Sequence, residues 1–180
     1  MKRSNTLYNM IMPVWMLLLW PISWPVTLLG NFGVDSLVLY LGMRRLKVED
    51  KKAFYKKHIF KVWGCGFLGD LPGVIFLYLS VCVSDWFWVD GAPEAQSAVY
   101  RFLYDRITTS VMTNPFTSIW AFLWVTAAVG IAALCIYFLN IKLCYKNSGL
   151  DQGQKKRMAR WMALITAPWL FYLPTTWFYF

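Results

Sequence analysis

Long apolar runs broken by two dense basic blocks constrain this chain more than any motif it carries. Of its 18 Lys and Arg, 14 fall in segments 44–61 and 142–160. Around these blocks lie apolar stretches over about 26–43, 62–83, 119–141 and 161–180. Each is close to the ~20 residues that a helix needs to cross a hydrocarbon core of about 30 Å. Cationic flanks on apolar spans follow the positive-inside rule, in which Lys and Arg stay on the cytoplasmic side. A nucleic-acid-binding domain would carry such charge on a soluble folded face, so the distribution speaks against nucleic acid as a partner. The chain is 58% hydrophobic and holds 11 Trp, 13 Phe and 10 Tyr, more than one soluble core of this length accommodates. A lipid bilayer accepts them, with Trp and Tyr at its interfaces.

The expected fold is an all-α integral membrane protein, a single membrane domain over residues 1–180. It is a helical bundle of four to five membrane segments with an outer amphipathic interfacial helix. The first apolar region runs from Leu7 to Met43. As one straight helix it would be about 55 Å long, well beyond the membrane core. Two prolines and two tryptophans in Trp20-Pro21-Ile22-Ser23-Trp24-Pro25 divide it, since proline breaks helix hydrogen bonding. The reading is a hairpin: a short helix over about 8–20, a turn, then a span over about 26–43. The competing reading is one long kinked helix. The basic segment 44–61 starts a second helix that lies partly on the membrane before turning into the span at 62–83. Its Lys51, Lys52, Lys56 and Lys57 are candidates for contact with anionic lipid, at about 1 kcal/mol per nearby cation.

Segment 84–118 holds Asp85, Asp90, Glu94 and Asp105 against Arg101 and Arg106, and this lack of basic excess places it outside. Within it, Val99, Leu103, Ile107 and Val111 recur every four residues, the pattern of an amphipathic helix on the outer interface. The spans at 119–141 and 161–180 follow, joined by the basic loop 142–160. This topology puts the N-terminus in the cytoplasm and the C-terminus outside, in a plasma or inner membrane. No small-residue cleavage site follows the first helix, so it does not read as a signal peptide.

Two carboxylates interrupt the apolar spans. Asp35 lies nine positions before Arg44, and Asp70 nine after Lys61. On antiparallel helices both come out about 13 Å deep. An ionisable group at that depth is costly and by default marks function. Asn31 stands one helical turn before Asp35 on the same face. Around Asp70, four glycines, Gly64, Gly66, Gly69 and Gly73, allow a close helix crossing. Pro72 frees a backbone carbonyl nearby. Thr126 is a further polar group inside the third clear span. Two carboxyls in one pocket do not both stay ionised without a cation, so they share a proton or bind an ion.

Enzyme chemistry finds no support. His58 is the one histidine, which leaves no histidine-based triad or multi-histidine metal site. Cys65, Cys82, Cys135 and Cys144 form no C-x-x-C, so neither a disulfide framework nor a zinc site is expected. Gly64-Cys65-Gly66-Phe67-Leu68-Gly69 fits a dinucleotide fingerprint in spelling only, because that motif works after a strand and not inside a span. No cofactor and no metal are expected. The functional expectation is an ion- or proton-conducting channel or transporter component built on Asp35 and Asp70, with Asn31 assisting. A narrow bundle would need a homo-oligomer or a membrane protein partner to complete a pore. The alternative is a non-transporting membrane subunit whose polar and glycine residues serve helix packing.

Overall fold

The computed structural model describes residues 15–16, 24–89 and 97–177, and these are helical with no strand. Three helices are long and apolar enough to cross a membrane. Helix α1 spans Trp24–Arg45. Pro25 sits in its first turn, where a missing N–H costs no helix bond. At its end the Val48 N–H reaches Met43 O at 3.1 Å and the Lys47 N–H reaches Arg44 O at 3.3 Å, the bonding of a Schellman cap. Lys47 holds the left-handed position of that cap, with φ 53°.

Helix α2 spans Lys51–Trp86, 36 residues, with the Asp50 carboxylate accepting the Ala53 N–H. It is one continuous helix, about 54 Å long. The turn expected between a basic interfacial helix and a span at 62–83 is absent. No glycine or proline lies between Lys51 and Trp63, and the lysines project outward from the helix, so nothing ends it. Pro72 lies inside α2 and takes only the hydrogen bond that Leu68 O would otherwise accept.

The helix expected from the four-residue repeat is present as α3 (Ala98–Leu103), a π-turn over Tyr104–Thr108 and α4 (Thr109–Thr113). Ile107 and Val111 are buried and Leu103 packs against the same cluster, whereas Val99 is exposed, so all of the repeat but its first residue faces the bundle. Helix α5 spans Ile119–Leu139 and continues as a π-turn over Asn140–Cys144. Helix α6 spans Gln152–Ile165 and opens with a reciprocal capping box between Asp151 and Gln154.

Among the described residues three helices, α1, α2 and α5, are long and apolar enough to cross a membrane, against the four to five membrane segments expected. The helix over 161–180 is not continuous: α6 ends at Ile165, and 3-10 turns follow at Trp169–Tyr172 and Thr175–Trp177. Pro168 and Pro174 withhold the N–H groups that would extend α6. The segment at 8–20, apart from Trp15 and Met16, and the last three residues lie outside the described residues.

Exposure runs opposite to that of a water-soluble helix. Leu29 is 73% exposed and Ile75 58%, while Asp70 is 5% and Ser84 0%. Apolar side chains outward and polar groups inward suit a lipid surround. The core divides in two. One apolar cluster holds Val74, Leu77, Val111, Val125 and Phe171. The other, at the basic end, holds Leu39, Met43, Phe54, Val62, Tyr145 and Met158.

Candidate functional site

Between the two apolar clusters lies a polar layer. Along α2, Val62 and Cys65 belong to the basic-end cluster and Val74 to the other, and Asp70 falls between them. On α1, Asp35 precedes Val38, the first member of the basic-end cluster. After α6, Thr166 falls between Met162 of one cluster and Ala167 of the other.

Glycines bring the helices close enough for this layer to form. A Cβ at Gly69 would stand 2.5 Å from Ile136 Cγ1 and 3.1 Å from its backbone nitrogen. At Gly73 it would stand 2.8 Å from Ala128 O. The pair Gly69 and Gly73, four residues apart, therefore lays α2 directly on the backbone of α5, the close approach that small-residue motifs permit. Gly66 turns toward α1, where Asp35 Oδ2 lies 3.0 Å from its Cβ position. Gly64 has open space within 4 Å and takes no part in either crossing.

Both aspartates are buried in this layer. Asp35 is 3% exposed and Asp70 5%, one turn past the glycine that Asp35 touches. Thr166, just past α6, donates its hydroxyl to Met162 O at 2.8 Å. No basic side chain is among the groups acting on either carboxyl. Asp70 Oδ1 is buried without a hydrogen-bond partner among the described residues. A buried oxygen of this kind is costly unless a proton, an ion or a water meets it.

Other expected contributors stand apart. Asn31 is half-buried and makes no hydrogen bond to either carboxyl among the described residues. Thr126 donates to Phe122 O at 2.7 Å and accepts from the Tyr172 hydroxyl at 2.8 Å, so it serves the contact between α5 and the turn at 169–172. Lys51, Lys52, Lys56 and Lys57 are exposed on α2, and Lys57 Nζ donates to Asn147 O at 3.0 Å. That bond ties the basic end of α2 to the loop before α6.

Thr166 escaped the sequence reading, and Asn140, visible as a polar group near the inner end of its span, was not assigned to the site. Thr166 was hidden inside an apparent apolar span. Asn140 is fully buried: its Nδ2 donates to Ile136 O at 2.9 Å and its Oδ1 has no partner. Asn140 lies one turn beyond Ile136 on α5, which places it level with Gly66 on antiparallel α2. His58 is buried against Phe54, ring centroids 4.3 Å apart, with Nδ1 2.9 Å from Cys144 O. It fastens α2 to the π-turn and lies outside the aspartate layer. All four cysteines are free. Among the described residues no group of three or more His, Cys, Asp and Glu could hold a metal ion.

Fold and site together define a class: a helical membrane protein with a buried carboxyl pair between two apolar clusters. Comparison with protein-family models, curated proteins and solved structures returns no match.

Proposed function

We propose that this protein is a membrane transport or channel component in which Asp35 and Asp70 carry a proton. The observation that supports this is the pair itself: two carboxyls on facing helices, both buried, with no basic partner among the described residues. Two such groups out of water cannot both hold a negative charge without compensation, so the pair shares a proton. Gly66 gives the Asp35 carboxyl room against α2, and the unpartnered Asp70 oxygen is the point of exchange. A divalent ion is the weaker candidate, because calcium takes six to eight oxygens and the site offers two carboxylates.

In this reading the basic end faces the cytoplasm of a plasma or inner membrane. The three long helices among the described residues make a narrow bundle, so a complete path requires a second copy or a membrane partner. The second reading is a non-transporting subunit. The tight α2–α5 crossing at Gly69 and Gly73 favours it, although that crossing joins helices within one chain and calls for no partner.

The test is proton flux into liposomes containing the purified protein under an imposed pH gradient, with potassium and valinomycin clamping the voltage. The wild type dissipates the gradient at least tenfold faster than empty liposomes. Asp35→Asn and Asp70→Asn lose that flux while melting as the wild type does. Equal flux in both variants, or no flux at all, overturns the reading. Flux of sodium or potassium in place of protons, read in separate liposomes without valinomycin, would move the assignment to a monovalent cation.

A further inference from the structure

At the basic end, α1 and α6 form a groove that the aspartate layer does not use. Its volume is about 350 Å³, and its walls are Gly42, Arg45, Leu46, Arg157, Met158 and Trp161. The floor is apolar: Gly42 packs directly on the Met158 sulfur, and Met158 is fully buried. The rim is cationic. The Arg45 guanidinium carbon sits 4.5 Å above the Trp161 ring, and both arginines are exposed. Among the described residues neither forms an ion pair. A second cleft of about 290 Å³ shares Arg45, Leu46 and Arg157 and adds Lys47, so the positive rim extends outward. Asp151 also lines that second cleft. Its carboxylate is engaged as the α6 cap, accepting the Gln154 N–H at 2.7 Å.

The groove lies where the apolar helices meet the basic end, and an apolar track leads away from it. One turn along α1 from Arg45 is Leu41; one turn along α6 from Trp161 are Leu164 and Ile165. All three are exposed. A ligand that satisfies the whole feature carries an anion at one end and a hydrocarbon chain at the other. Guanidinium groups match phosphate with forked, charge-assisted hydrogen bonds. Tryptophan favours the head-group level of a bilayer. Basic pockets between membrane helices bind anionic head groups. Free phosphate would leave the apolar track bare.

We propose that this groove binds an anionic phospholipid: Arg45 and Arg157 hold its phosphate, Trp161 flanks the head group, and one acyl chain lies along Leu41, Leu164 and Ile165. The site is separate from Lys51, Lys52, Lys56 and Lys57, which present charge without this groove's apolar floor. It does not depend on the proton reading.

The experiment uses the full chain in neutral detergent and measures the melting temperature and, by native mass spectrometry, retained lipid. The probes are phosphatidylglycerol, phosphatidylcholine with the same acyl chains, glycerol phosphate and inorganic phosphate. The expected result is one retained phosphatidylglycerol per chain and a raised melting temperature, with no effect from the other three probes. Arg45→Gln/Arg157→Gln weakens phosphatidylglycerol binding at least tenfold. Lys142→Gln/Lys146→Gln, which removes the same charge elsewhere at the basic end, leaves binding within twofold of the wild type. Equal loss in both double variants means diffuse attraction and overturns the site. So does equal binding of glycerol phosphate or inorganic phosphate, or equal retention of phosphatidylcholine. If the arginine double variant does not fold, Arg157→Gln alone and the wild-type choice between the two lipids decide the matter.

Discussion

The Asp35 carboxyl rests on Gly66, its Oδ2 3.0 Å from where a Cβ would stand. The only residue without a side chain thus sits where α1 delivers a carboxyl to α2, one turn from Asp70. Gly66→Ala asks that carboxyl to move by a few tenths of an ångström. Alanine is the better helix former by about 0.8–1.0 kcal/mol, so stability should stay within about 1 kcal/mol of the wild type. Proton flux should change, because the distance between the carboxyls changes. Unaltered flux in Gly66→Ala would show that the geometry of the pair is irrelevant to transport.

The α2–α5 crossing predicts a contrast among neighbouring glycines. Gly69→Leu forces a side chain into the Ile136 backbone and should cost about 3 kcal/mol or more. Gly64→Leu meets open space and should change stability by less than about 1 kcal/mol. Unfolding in mixed detergent measures both. Equal effects would mean that the close approach at Gly69 is not what joins the helices.

Lys47 occupies a left-handed position that glycine usually takes in such a cap. The conformation costs a side-chain-bearing residue about 1–2 kcal/mol, and glycine brings its own entropic cost of about 0.5–1 kcal/mol. Lys47→Gly should therefore stabilise the protein by about 0.5–1 kcal/mol, read as a higher melting temperature. A fall would contradict the capping geometry.

Asp151→Ala removes the side chain that accepts the Gln154 N–H at 2.7 Å. Loss of such a cap costs about 1 kcal/mol. Hydrogen exchange should quicken over the first turn of α6 and stay unchanged in α5. Uniform protection along α6 in the variant would argue that packing alone holds this helix.

Much of the fold was legible because membrane helices write themselves in long apolar runs. The boundaries of α1 and α5 fall within a few residues of the apolar stretches, since the basic residues at Arg44 and Lys142 mark where those stretches stop. In the last segment hydropathy records apolarity and not backbone competence: residues 161–177 are mostly apolar, yet α6 ends at Ile165, ahead of Pro168 and Pro174. The turn expected before Val62 was misread for the opposite reason, since charge changes at Lys61 while helix-forming residues carry on. At the site, Asp35 and Asp70 were visible as isolated charges in apolar sequence. Thr166 was not, and Asn140 was visible only as a polar group near a span end, which is unremarkable until the partner helix is known. Asn31 looked equivalent to a partner by spacing, yet it is half-exposed, on a turn of α1 farther from the Gly66 crossing.

The central claim is that Asp35 and Asp70 together hold a proton within the bundle. Infrared difference spectroscopy of the protein in lipid, scanned across pH, tests it directly through the carbonyl stretch of a protonated carboxyl. The account predicts such a band at neutral pH, shifted by deuterium exchange and lost or displaced in both Asp35→Asn and Asp70→Asn. A spectrum with no protonated carboxyl at neutral pH, or a band that both variants leave unchanged, would contradict it.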